Sequence, residues 1–179
     1  NFISKRRSLA ASSGLFLGDQ YHFNLVRPGI ALYGGNPQPG TPNPMAQVVR
    51  IQGKILQLRS VDTPQSVGYG ASYKVKSPAR IATVAIGYAD GYLRSFSNSG
   101  KAWIDGHEVH VAGRVSMDLT TLDVTSVPPH LSQTGALVDF LGPDQSIDQM
   151  AEDAGTIEYE VLARLGNRFA RQYSKRMPD

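Results

Sequence analysis

Tyrosine beside glycine is the recurring feature with chemical potential in this 179-residue chain. It occurs as Gly68-Tyr69-Gly70 and again as Gly87-Tyr88-Ala89-Asp90-Gly91-Tyr92. A glycine neighbour leaves the phenol on open backbone, where it can reach a ligand. A tyrosine packed over a turn gives the same pairing, so both readings stand for any single case. A phenol ordinarily holds its proton to about pH 10, so tyrosine serves as a base only where a cation favours its phenolate. Arg94 and Arg114 lie near in sequence and can supply that charge.

Other chemistries are poorly provided for. There is no cysteine, hence no thiol nucleophile, no thiolate metal site and no disulfide scaffold. The histidines are His22, His107, His110 and His130. His107 and His110 sit three apart in a strand pattern, which sends them to opposite faces, and no third ligand is suggested, so no metal is expected. No phosphate loop ending in Gly-Lys-Ser/Thr and no nucleophile elbow occurs. The net charge of +3 permits an anionic ligand without demanding nucleic acid. The basic clusters Lys5-Arg6-Arg7 and Arg168, Arg171, Lys175 and Arg176 read as solvated faces.

A β-barrel module binding nucleic acid through those ends is the competing class, with steep salt dependence as its signature. The tyrosines sit with glycines and one aspartate rather than among lysines and arginines, which argues against it. No apolar run approaches a membrane span and no charged-then-apolar leader opens the chain, so a cytoplasmic protein with no membrane partner is expected. The chain opens on Asn1 rather than Met, and the expectation is a piece of something longer.

The elements that must position these residues change along the chain. Residues 4–17 predict a short helix and Phe23–Arg27 a strand. Residues 35–44 hold four prolines and predict a linker and a domain boundary. Beyond it, strands are predicted over Gln47–Val61, with Gly53 as a bulge or kink, and over Ala79–Ile86. Two more flank Asp105-Gly106, a strong hairpin signal. Thr120–Val127 and Ala136–Leu141 complete the set, which suits an all-β barrel or sandwich. Ser146–Gln149 predicts a capping box, Gly155 a stop, and Ile157–Tyr173 a helix interrupted at Gly166.

Five segments in order resemble one family: Arg27-Pro28-Gly29-Ile30-Ala31-Leu32-Tyr33-Gly34, Gly68–Tyr73, Ile86–Tyr92, Ala112-Gly113-Arg114-Val115-Ser116-Met117-Asp118, and Ile157-Glu158-Tyr159-Glu160. Together they look like alanine racemase, over nearly the whole chain, but only over the C-terminal half of that family's subunit. The resemblance implies a homodimeric cytoplasmic enzyme that interconverts L- and D-alanine with pyridoxal 5'-phosphate, supplying D-alanine for peptidoglycan. One lysine and one tyrosine act as bases on opposite faces of the substrate, across the subunit interface.

By resemblance Tyr69 is the catalytic tyrosine. Arg27 contacts the pyridine nitrogen of the cofactor; a guanidinium does not readily yield its proton, so the ring stays a weaker electron sink. Ser12 and the amides of Gly29 and Ile30 match the phosphate cradle, and Tyr159 matches a further phosphate contact. The Met117 amide matches a contact to the substrate carboxylate. Tyr88 and Arg94 match the lining of the access route, with Arg114 close by. The chain departs from the family in lacking the catalytic lysine: none of Lys5, Lys54, Lys74, Lys76, Lys101 or Lys175 stands in the family's Lys-Ala-(Asp/Asn)-Ala-Tyr-Gly context. The barrel arginine expected on the substrate carboxylate is absent too. Ala11 stands where asparagine is frequent, and Gly68 where serine is common. A racemase for serine or another amino acid fits the same residues.

Strand pattern and resemblance together give a mainly β fold. A C-terminal β-barrel-like domain with terminal helices, residues 45–179, follows residues 1–44 as the last piece of a (β/α) barrel. The chain alone is expected to be inactive.

Overall fold

A computed structural model describes residues 5–174, which fall into two compact units, Asn1–Val49 and Arg50–Asp179. The first unit is slight. β1 (Ser8–Ala11) runs parallel to β2 (Leu25–Arg27). The helix expected over residues 4–17 is corrected to this strand followed by a 3-10 turn at Ser13–Leu17; Ser4 lies outside the described residues. Pairing with β2 takes the β1 backbone bonds that a helix would have used. β2 itself starts two residues late because Phe23 turns to a φ of 52°, off extended backbone. The Arg7 guanidinium covers the Phe23 ring, 5.2 Å from its centroid.

The second unit is a closed barrel. β3 (Ile51–Val61), β6 (Ala79–Val84), β7 (Lys101–Ile104), β8 (His107–Val111), β9 (Thr120–Asp123) and β10 (Leu137–Leu141) close in the order β10-β3-β6-β9-β8-β7. Every ladder is antiparallel, and Asp139 opposite Trp103 closes the ring. Closure removes the free strand edges that would otherwise invite aggregation. Buried positions alternate at Ile51, Gly53 and Ile55 on β3, Val109 and Val111 on β8, and Thr120 and Leu122 on β9. Tyr92 stacks on Phe96 at 4.5 Å and meets Phe140 edge-on at 4.7 Å.

The Asp105-Gly106 turn forms as expected, with positive φ at both residues. The bulge expected at Gly53 is corrected: Gly53 pairs in register with Val138, and the irregularity between β3 and β6 falls between Ile55 and Gln57. A Cβ on Gly53 would meet Val84 Cγ1 at 2.6 Å, so tight packing explains the glycine. A hairpin that the sequence reading passed over joins β4 (Gln65–Val67) to β5 (Tyr73–Val75).

After the barrel, α1 (Ile147–Ala154) is capped by Ser146, whose hydroxyl accepts from the Gln149 amide at 3.1 Å, and it stops at left-handed Gly155. The helix expected over Ile157–Tyr173 is corrected to α2 (Glu158–Ala163). Beyond it, Arg171 donates to the Leu165 and Gly166 carbonyls and Arg168 reaches two carboxylates, so side-chain bonds hold the tail in a non-helical path. Lys175 and Arg176 lie outside the described residues. Among those described, no helix is long and apolar enough to cross a membrane, and no group of three carboxylates and imidazoles gathers to hold a metal ion.

Candidate active site

The β4–β5 hairpin exists to present its tip. It rests on a small apolar cluster, Val61, Val75, Ala79, Ile81 and Ala112, against which Val67 and Tyr73 pack. The Tyr73 hydroxyl donates to Asp123 of β9 at 3.2 Å, and burial, with Asp123 beside it, keeps that phenol protonated beyond its ordinary range. At the tip, Gly68 adopts a φ of +80°, and a Cβ there would lie 3.1 Å from the Arg114 amide and 3.3 Å from the Gly113 Cα. Backbone can therefore lie on backbone only with glycine at this position. Tyr69 follows, 73% exposed, its ring standing off the hairpin. The Arg114 guanidinium lies over the next residue: a Cβ on Gly70 would be 3.4 Å from its Nη1. The cation suggested by sequence proximity thus lies against the glycine beside this tyrosine.

A second turn, Gly87–Asp90, leaves β6 and docks on the loop before β9. Tyr88 donates its amide to the Ser116 carbonyl at 3.0 Å, and Ala89 to the Met117 carbonyl at 2.9 Å. A Cβ on Gly87 would strike those carbonyls at 2.5 and 2.4 Å, so a larger residue would break the dock. Asp90, buried, accepts from the Gly87 amide at 2.9 Å and closes the turn. The facing loop is stitched by Ser116, whose amide and hydroxyl both donate to the Leu119 carbonyl. Thr120 then ties it to the segment leaving β6 by donating to the Ile86 carbonyl at 2.7 Å. Two loops and one hairpin meet here because each is anchored to the same barrel wall.

Between them opens a cavity of about 370 Å³, lined by Tyr69, Tyr88, Arg94, Arg114, Val115, Ser116 and Met117. Tyr69, Tyr88, Arg94 and Met117 were each singled out from sequence, and Arg114 was placed nearby. Two phenols, two guanidinium groups and backbone surround it, which suits a small anionic ligand. A neighbouring cavity of about 510 Å³ shares Tyr88 and Arg94 and continues to Thr156, Glu160 and Arg164. There the bonds from Thr156 and then Arg164 hold the Glu160 carboxyl below the usual glutamate range. Tyr159 lies on α2, half exposed, and does not line the smaller cavity. Tyr92, beside the same glycine turn, is sealed in the barrel, where it packs on Phe96 and Phe140, and burial drives its phenol far above the ordinary range.

The remaining candidates gather in the first unit. The buried Ser12 hydroxyl accepts from the Gly29 amide at 2.8 Å and the Ala31 amide at 3.3 Å. Arg27 donates to the Ser8 hydroxyl and, at 3.3 Å, to the Leu9 carbonyl. Ile30 is buried at the start of the 3-10 turn Ile30–Tyr33.

Two arginines of the C-terminal basic cluster have partners that the solvated-face reading did not include: Arg168, half exposed, pairs through Nε with Asp90 at 3.2 Å and through Nη2 with Asp118 at 2.7 Å, and Arg171 donates to the Leu165 and Gly166 carbonyls. For Arg168, only its spacing from the last helix was available in sequence, and spacing does not reveal a partner 50 residues away.

Comparison with known proteins covers most of the chain. The family model described as alanine racemase, C-terminal domain, matches residues 48–173, and that for the alanine racemase N-terminal domain matches residues 2–37. An alanine racemase of Rhodospirillum rubrum is 56% identical over 172 residues, 96% of this chain and 46% of that protein. A catabolic alanine racemase of Agrobacterium fabrum is 51% identical, covering 90% of this chain and 42% of that protein. Among solved structures, alanine racemase of Bartonella henselae with covalently bound pyridoxal phosphate superposes with a TM-score of 0.89 at 40% identity, over 96% of this chain and 47% of that one. That of Bacillus anthracis with bound L-Ala-P gives 0.80 at 30% identity, over 90% and 43%. The chain spans slightly less than half the length of these curated relatives. It belongs to the alanine racemase family, matching that family's C-terminal domain over most of its length and, before it, its N-terminal domain over a shorter stretch.

Proposed function

We propose that this chain is the tyrosine-bearing part of a homodimeric, cytoplasmic alanine racemase that interconverts L- and D-alanine with pyridoxal 5'-phosphate. The observation that carries the reading is the cavity where an exposed Tyr69, Tyr88, two arginines and Met117 converge. The first unit fits the cofactor by its donor set. The Ser12 hydroxyl, whose oxygen accepts from the Gly29 and Ala31 amides, keeps its own proton to donate to a phosphate. Arg27, held by Ser8 and Leu9, suits a ring nitrogen that stays unprotonated. When bound, the cofactor draws electrons from the substrate's α-carbon and so acidifies its C–H bond.

This chain's own residues do the rest. The Tyr69 Oη takes the α-proton from one face, or returns it, and the Arg114 guanidinium lies against Gly70, the next residue. The Met117 carbonyl accepts from the Ala89 amide, and the Met117 amide is assigned as the donor to the substrate carboxylate. Tyr88 and Arg94 line the access route and draw in the anionic amino acid. The second base, a lysine, is not in this chain, so the chain alone turns over no alanine. Robust D-alanine turnover by residues 1–179 with added cofactor would overturn that point.

The role of Tyr69 is tested in the complete polypeptide that includes the lysine-bearing barrel. Tyr69→Phe lowers racemisation about 10²- to 10⁴-fold in both directions, the usual worth of a positioned acid–base group. In deuterated water it still exchanges the α-proton of one enantiomer, because the lysine face is intact. Undiminished racemisation, or loss of exchange for both enantiomers with cofactor still bound, sinks the assignment.

A further inference from the structure

Two of the loops that line the cavity share a contact with Arg168, which lies outside it; its meaning for alanine rests on the racemase function proposed above. Tyr88 and Met117 come from different loops joined by two backbone bonds, Tyr88 to Ser116 and Ala89 to Met117. Each loop ends in a carboxylate: Asp90 closes the first, and Asp118 follows Met117 in the second. Arg168, from the tail after α2, touches both, through Nε to Asp90 and Nη2 to Asp118. The other Asp90 oxygen accepts from the Gly87 amide that starts the turn.

From this geometry we infer that Arg168 is a positioning residue for alanine binding, bolting the Tyr88 turn to the Met117 loop through Asp90 and Asp118. A planar guanidinium presents two N–H groups in fixed directions, so one side chain sets the separation of two carboxylates. Without it, the largely buried Asp90 is left with one amide and faces Asp118 with no cation between them. Like charges then push the two loops apart. The displaced atoms are the Met117 amide and the Tyr88 ring, which meet the substrate's carboxylate and its route. Tyr69 stands on a separate hairpin anchored through Val75 and Asp123, so proton transfer is spared.

The test uses the complete polypeptide with its barrel, loaded with cofactor, as wild type, Arg168→Met and Arg168→Lys. Arg168→Met raises the KM for alanine about tenfold while kcat falls less than about threefold, at an unchanged melting temperature. Arg168→Lys, with one point charge for two carboxylates, recovers only part of the KM. Amide hydrogen exchange at Tyr88 and Ala89 speeds up in Arg168→Met. An unchanged KM, or equal losses in kcat and KM, overturns the inference. If wild type binds cofactor but does not racemise alanine, the racemase reading fails, and the exchange rates at Tyr88 and Ala89 still decide whether Arg168 holds the loops. Unchanged exchange then overturns it.

Discussion

The two units of this chain solve the burial problem differently. The barrel unit closes on itself and buries Ile55, Val84, Ile104, Val109, Leu122 and Phe140 almost completely. In the first unit Ala10, Ile30 and Ala31 are buried, while Leu9, Leu17, Leu25 and Leu32 stand more than half exposed. Two short parallel strands cannot cover both of their faces, and parallel strands are normally buried on each. The lesson is that a closed sheet carries its own core, whereas a short parallel strand pair carries only local bonds such as those of Ser12 and Arg27.

The sharpest way to break this contrast is to separate the units. Residues 50–179 are expected to melt as one cooperative transition by circular dichroism. Residues 1–49 show no cooperative transition, as expected of an isolated strand pair. A cooperative melt of the short piece would erase the distinction.

A smaller effect sharpens it within the full chain. Phe140→Ala removes a ring packed on Tyr92 inside the barrel and costs about 3–5 kcal/mol in denaturant unfolding. Leu32→Ala, at a position 62% exposed, changes stability by less than about 0.5 kcal/mol. Equal costs would mean that the first unit packs as tightly as the second.

The smallest effect is electrostatic. Glu160 is held below the ordinary glutamate value by the Thr156 hydroxyl and then by Arg164. Its contribution to folding is therefore complete above the unfolded value, near pH ~4.3, and fades as pH falls through the lower folded value. A carbon-detected NMR titration finds the Glu160 midpoint below that of an exposed glutamate, and Thr156→Ala moves it back up. No movement would remove Thr156 as the main cause.

The recognisable parts were those fixed by neighbours in sequence. The Asp105-Gly106 hairpin, the Ser146 cap and the Gly155 stop are local, because each depends on the φ angles or side-chain bonds of a few adjacent residues. The tyrosine–glycine pairs were visible for the same reason, and ordered motifs named the family. The strand ends were less legible: β6 stops at Val84, which meets Thr120, the first residue of β9, and β9 stops at Asp123, beyond which the Arg80 amide donates to the Thr125 hydroxyl. The helix drawn to Tyr173 failed because Arg168 and Arg171 find bonds outside it.

By itself, then, the sequence determined the family, the mainly β character and which side chains could do chemistry, since these follow from residue types and short spacings. Only the tertiary structure separated Tyr69, exposed beside Arg114, from Tyr92, sealed against Phe96, although both flank glycines. It alone turned Arg168 from a surface charge into a clasp on Asp90 and Asp118. Both outcomes depend on which distant segments meet around the closed barrel, and long-range meeting is set by packing and burial rather than by adjacent residues.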